Sequence, residues 1–115
     1  MTTVPIVAGT ATVIFNGSGN GTARLGPSGS SEVWAPAVAS FSASTNTKEA
    51  ACQIYVGDQP IQANFVDGSL SGSTGDSTGR VGAYLLKLGW YVWAVWAGGD
   101  AGAVATLKVS GMKEV

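Results

Sequence analysis

The stretch GWYVWAVWAGG (residues 89–99) holds three of the chain's four tryptophans and one of its three tyrosines. Framed by glycines, it reads as one strand, and successive side chains on a strand point to opposite faces. Tyr91, Trp93 and Val95 share one face; Trp90, Val92, Ala94 and Trp96 share the other. In a two-sheet sandwich only one face of each sheet looks into the core, and the other is ordinarily polar. Here neither face is polar. A buried tryptophan withdraws about 150–250 Å² from water. At about 25 cal/mol per Å², leaving two exposed forgoes free energy comparable with a domain's net stability. The second face therefore needs a cover: the chain's own loops or termini, another subunit, or a stacked sugar. The sugar fits least, since Trp90 and Trp96 lie about 20 Å apart along one face, long for two rings serving one short oligosaccharide.

Outward from this strand the chain repeats one grammar, a short apolar or alternating run followed by turn residues, with no helix of useful length. Such spacing predicts an all-β, single-domain antiparallel β-sandwich of about eight strands, jelly-roll or immunoglobulin-like, with two sheets face to face. TATVIFN (10–16) places Ala11, Val13 and Phe15 on one face, and TARL (22–25) pairs Ala23 with Leu25. Asn16-Gly17 and Asn20-Gly21 between them tolerate positive φ, so the two runs read as a β-hairpin. A longer strand covers 32–44, with Val33, Ala35, Ala37, Ala39, Phe41 and Ala43 on one parity and Ser40, Ser42 and Ser44 on the other. Trp34 and Pro36 interrupt it; proline cannot donate to a ladder, so an edge or a bulge is expected there. EAACQIYV (49–56) sets Cys52, Ile54 and Val56 against Ala51, Gln53 and Tyr55. Residues 57–79 read as irregular, with short strands around 64–66 and 69–70 and an exposed loop at STGDSTGR (73–80). RVGAYLL (80–86) reads as a strand, and AVATLKVSG (103–111) closes the sheet with Ala105, Leu107 and Val109 opposite Val104, Thr106 and Lys108. Residues 1–8 are an N-terminal arm or an extra edge strand, and 9–115 the sandwich.

Composition excludes most chemistry. The 115 residues suit one domain, and 45% hydrophobic content suffices for a packed core. Charged residues are 11% of the chain, under half the usual proportion of about 25%. A surface so neutral resists association poorly, which suits a protein that sits against neighbours. Six basic and seven acidic residues are scattered, with no basic cluster, so neither phosphate-driven nucleic-acid binding nor an anionic membrane surface is expected. With no histidine, Ser-His-Asp and Cys-His constellations are absent. One cysteine allows no intrachain disulfide and no zinc set; Cys52 reads as a small buried hydrophobe. No phosphate-binding or dinucleotide glycine motif occurs. The carboxylates fall mostly in turns, and residues 67–76 lack the alternating ligands of a calcium loop. No enzyme, metal or cofactor is expected. NGS at Asn16 and NGT at Asn20 match a glycosylation sequon but read as turns, because MTTVPIVAGT has no basic n-region of a signal peptide. No run approaches the roughly 20 apolar residues of a membrane helix.

Three longer stretches, GTATVIFNGSGNGTARLGP (9–27), CQIYVGDQPIQANFVDGSLSG (52–72) and GWYVWAVWAGGDAGAVATLKVSG (89–111), together resemble a group of small all-β virion structural proteins. These are head decoration or minor tail proteins of tailed bacteriophages infecting actinobacteria. The resemblance implies a virion component made in the host cytoplasm, first of all a capsid decoration protein. It would bind the major capsid protein or other virion proteins, and copies of itself, by burying surface without catalysis. A minor tail or tail-tip protein is the second such reading; a carbohydrate-binding module for host cell-wall glycan is the alternative from another class. In that group the residue after the strand-opening glycine is usually polar, whereas here it is Trp90. The resemblance therefore implies that Trp90 faces outward and that Tyr91, Trp93 and Val95 point inward. The expected interface residues are Trp90, Val92, Ala94 and Trp96, with the arm residues Val4, Pro5, Ile6 and Val7 extending to a neighbour.

Overall fold

A computed structural model describes residues 2–6, 9–70 and 73–115. Among them the chain forms nine strands: β1 (Thr3–Pro5), β2 (Thr10–Ile14), β3 (Gly21–Leu25), β4 (Val33–Ala43), β5 (Ala51–Gly57), β6 (Phe65–Ser69), β7 (Asp76–Thr78), β8 (Tyr91–Ala97) and β9 (Val104–Glu114). Two short 3-10 turns lie at Gln62–Asn64 and Arg80–Ala83. One sheet runs β2-β9-β4-β7, with β1 pairing β9 further along the same edge; the other runs β3-β8-β5-β6. All neighbours are antiparallel, and the pairs nest: β5 with β6, β4 with β7, β3 with β8, β2 with β9. A long hairpin centred on the β5–β6 connection, rolled so that alternate pairs fall in opposite sheets, is a jelly roll. Of the two sandwich types expected, the pairing selects this one.

Nesting also explains why residues 10–25 are not a ladder hairpin. Ala11 and Val13 of β2 pack against the core, and Ala23 of β3 is buried in it, but from opposite walls. The connecting turn is held locally, with the Asn16 side-chain oxygen accepting the N–H groups of Ser18 and Asn20 at 2.9 and 3.2 Å. Each strand then finds its ladder in a different sheet.

The core lies between Ala39, Phe41, Ala43, Ala105, Leu107 and Val109 of one sheet and Cys52, Ile54, Val56, Val92, Ala94 and Trp96 of the other. This corrects the face assignment in β8: Val92, Ala94 and Trp96 point inward, while Tyr91, Trp93 and Val95 lie on the outer face, partly exposed. The cause is register, because directly paired residues of neighbouring strands share a face. Val92, Ala94 and Trp96 pair with Val56, Ile54 and Cys52, whereas Val95 pairs with Gln53 and Trp93 with Arg24. The polar Gln53 and Arg24 face water and carry Val95 and Trp93 outward with them.

Trp34 and Pro36 mark a bulge, with the register against β9 shifting between Pro36 and Val38. The extra residue reverses parity, so Trp34 and Pro36 face inward before it, and Ala39, Phe41 and Ala43 after it. β4 is an inner strand, but β7 pairs only with Ala39, Ser40 and Phe41, so Pro36 faces no ladder on that side. Residues 80–86 are a turn rather than a strand. Val81 and Leu86 are both fully buried although strand alternation would put them on opposite faces. The Thr78 hydroxyl accepts the Arg80 N–H, and the Gly82 and Tyr84 N–H groups bond the Gly79 and Val81 carbonyls. Part of the expected exposed loop is the edge strand β7, and the two short strands expected in 57–79 are the single strand β6. β9 continues past Gly111 to Glu114. At the N-terminus Val4 and Pro5 pair with Lys113 and Met112, and Ile6 packs against the core. These residues therefore dock on their own sheet; Val7 lies outside the described residues.

Candidate assembly surface

Most of the outer aromatic face of β8 is covered by its own chain. The Arg24 guanidinium lies 4.4 Å from the Tyr91 ring centroid and 5.3 Å from that of Trp93, a cation–π arrangement. Tyr91 and Trp93 meet edge to face at 5.5 Å, and the Trp93 indole N–H donates to the Gly57 carbonyl at 3.1 Å. Across β5, Tyr55 and Phe65 pack edge to face at 5.8 Å, and the Tyr55 hydroxyl donates to the Gln53 side chain. Of the covers considered for this strand, the chain's own residues supply one.

Trp90 is different. It precedes β8 in a turn closed by its N–H bonding the Lys87 carbonyl at 2.9 Å, with Gly89 at φ 92° in the left-handed region. Before this turn, Leu86 exchanges both backbone hydrogen bonds with Trp34, each 2.9 Å, and is fully buried. Fixing Leu86 inward turns Leu85 and Lys87 out. The result is an apolar surface at one end of the sandwich: Leu85 is 64% exposed, Leu88 51%, Trp90 46% and Met112 42%. Two hollows meet at Leu85. One, of about 150 Å³, is lined by Val33, Ala35, Met112, Thr3, Lys113 and Glu114; the other, of about 380 Å³, lies beside Lys87 and Trp90. Residue reading alone found Trp90 but missed Leu85, Leu88 and Met112. The usable signal was the adjacent pair Leu85-Leu86, which cannot both face one core from a strand.

The rim of the first hollow is held by Glu32 and Lys113, whose side chains are less than a fifth exposed and lie 3.6 Å apart. The Trp34 indole N–H donates to the Glu32 carboxylate at 3.1 Å. That bond, more than the Ser28 N–H or the Lys113 charge, holds the Glu32 carboxyl below its ordinary value against the opposing effect of burial. At the opposite end, Asp100 accepts the N–H groups of Asn46, Thr47 and Lys48 at 2.8, 2.9 and 3.2 Å, tying two loops together. These bonds, that from Thr47 foremost, hold its carboxyl below the ordinary value. A depressed carboxyl stabilises fully above the unfolded pKa of about 3.9 and loses that contribution as pH falls through the folded value. Asp100→Asn should therefore lower the urea midpoint more at about pH 7 than at about pH 3, where part of the wild-type contribution has been lost. Equal effects at both pH values would contradict the assignment.

The Cys52 thiol is fully buried, and burial pushes it up to about 12, so it is a packing group without a reactive thiolate. Asn16 holds its own turn, and the Asn20 side-chain oxygen accepts the Gly98 N–H at 3.2 Å. No group of three or more acidic, cysteine or histidine residues gathers among the described residues to hold a metal. None of their helices is long and apolar enough to cross a membrane. Compared with protein-family models and with curated proteins, the chain matches none.

Proposed function

We propose that the protein is a non-enzymatic structural component of a tailed-phage particle, seated on the capsid surface and reinforcing it by burial of apolar and neutral surface. One observation carries the reading: the uncovered strip Leu85, Leu88, Trp90 and Met112 on a sandwich that is otherwise poor in charge. Jelly rolls serve viral capsid and lectin domains alike, so the fold alone selects neither. The glycan-binding alternative has the partly exposed Tyr91 and Trp93 in its favour, but Arg24 occupies ring faces on which a sugar would stack. Tryptophan fluorescence unchanged by host cell-wall glycan would dismiss it.

The test is addition of the purified protein to particles assembled without it. Hundreds of bound copies per particle are expected; a handful would move the protein to the tail, and none would overturn the proposal. Trp90→Ser should reduce binding while leaving the unfolding free energy within about 0.5 kcal/mol of wild type, as for a surface position. A variant that binds normally would remove Trp90 from the contact.

A further inference from the structure

We infer that the Leu85–Trp90 surface pairs with a second copy of this chain about a two-fold axis near Leu85. The inference rests on that surface being an assembly surface, and it names the partner. Three features of the molecule favour a copy of itself.

The first is area. Leu85, Leu88, Trp90 and Met112 together expose about 400 Å², within the range of about 300–600 Å² seen for the largest patch on a monomer. An isologous contact uses the same patch on both partners. Doubling it gives about 800 Å², and Thr3, Val33, Ala35, Lys87 and Glu114, which line the two hollows and would be covered by the same contact, bring the total toward the roughly 1,000 Å² at which specific interfaces begin.

The second is shape. The patch carries its own hole beside its own knob. The hollow of about 150 Å³ bounded by Val33, Ala35 and Met112 lies on one flank of Leu85, and the half-exposed Trp90 borders the hollow on the other. A two-fold near Leu85 exchanges the flanks and brings each Trp90 toward the partner's hollow. Buried tryptophan in an apolar pocket is a common interface anchor.

The third is charge. The ion pairs among the described residues are Arg80 with Asp67 and Lys113 with Glu32, which leaves Lys87 and Glu114 unpaired. Lys87 lines the Trp90 hollow and Glu114 the Met112 hollow. The rotation that brings Trp90 toward the partner's hollow brings Lys87 toward the partner's Glu114, twice per dimer.

Sedimentation velocity of the full chain across the micromolar range tests this. Wild type should sediment as a dimer, and Leu85→Asp as a monomer with unchanged circular dichroism. Lys87→Glu and Glu114→Lys should each weaken the dimer about ten-fold, since two pairs turn from attraction to repulsion. An equal mixture of the two charge variants should recover wild-type association, because each variant then meets its opposite at both contacts. That recovery does not depend on how Leu85→Asp folds. A monomeric wild type, a Leu85→Asp dimer, or a mixture as weak as its components would each overturn the two-fold. A wild-type monomer that still loads onto particles would overturn the dimer and leave the proposed function standing.

Discussion

Trp96→Ala is expected to lower the unfolding free energy by about 3–5 kcal/mol, the usual loss for a large aromatic side chain removed from a core. Trp96 is the largest fully buried side chain among the described residues. Its ring lies 6.2 Å from that of Phe15, tilted by 47°, and it shares one buried cluster with Ala43, Ala94 and Ala105. A loss of this size approaches the whole stability of a domain, so the variant should be largely unfolded or aggregated at growth temperature. Trp96→Phe makes the argument sharper. The Trp96 indole N–H has no hydrogen-bond partner, and a buried unpaired donor is destabilising. Phenylalanine removes that donor while keeping most of the ring, so it should lose much less than alanine. Urea midpoints of the two variants check both statements. An alanine loss below about 1 kcal/mol would place Trp96 outside the core.

The second large effect is expected at Gly111. It stands opposite Pro36 at the β4 bulge with φ 146°, a conformation that side-chain-bearing residues rarely adopt. A Cβ there would lie 2.5 Å from the Ala35 carbonyl oxygen and 2.7 Å from the Ala37 nitrogen. Both are backbone atoms in the middle of the longest ladder, so neither can swing aside. Gly111→Ala should therefore destabilise by about 2–4 kcal/mol, from backbone strain and overpacking together. Gly29→Ala, in a loop with open space where its Cβ would be, is the control and should stay within about 0.5 kcal/mol. Equal midpoints for the two variants would mean that the bulge does not constrain Gly111.

Strand existence was largely legible, because alternation in 10–16, 33–43, 51–57 and 103–111 is a local property. The bulge was legible too, since Pro36 broke the pattern where the register shifts. Pairing was not. Asn-Gly turns favour a local hairpin over 10–25, but β2 bonds to β9 and β3 to β8, about 95 and about 70 residues further along the chain, and nothing local encodes that nesting. The inverted face of β8 has the same origin. Counting aromatics left the two faces equivalent, while Gln53 and Arg24, once paired with Val95 and Trp93, decide between them. Of the residues expected at an interface, Trp90 remains exposed; Val92, Ala94 and Trp96 belong to the core, and Val4, Pro5 and Ile6 to the chain's own sheet. Leu85, Leu88 and Met112 entered the surface only through three-dimensional proximity, since Met112 is brought beside Leu85 by the β4–β9 ladder.

The central claim is that the end of the sandwich bearing Leu85, Leu88 and Trp90 is covered in the assembled particle. A cryo-EM map of the parent particle with this chain located tests it most directly. The account predicts that Trp90 and Leu85 are buried against another protein subunit, a copy of this chain or a shell protein, in every resolved position. A map in which that end faces solvent throughout, with the molecule held by some other surface, would contradict it.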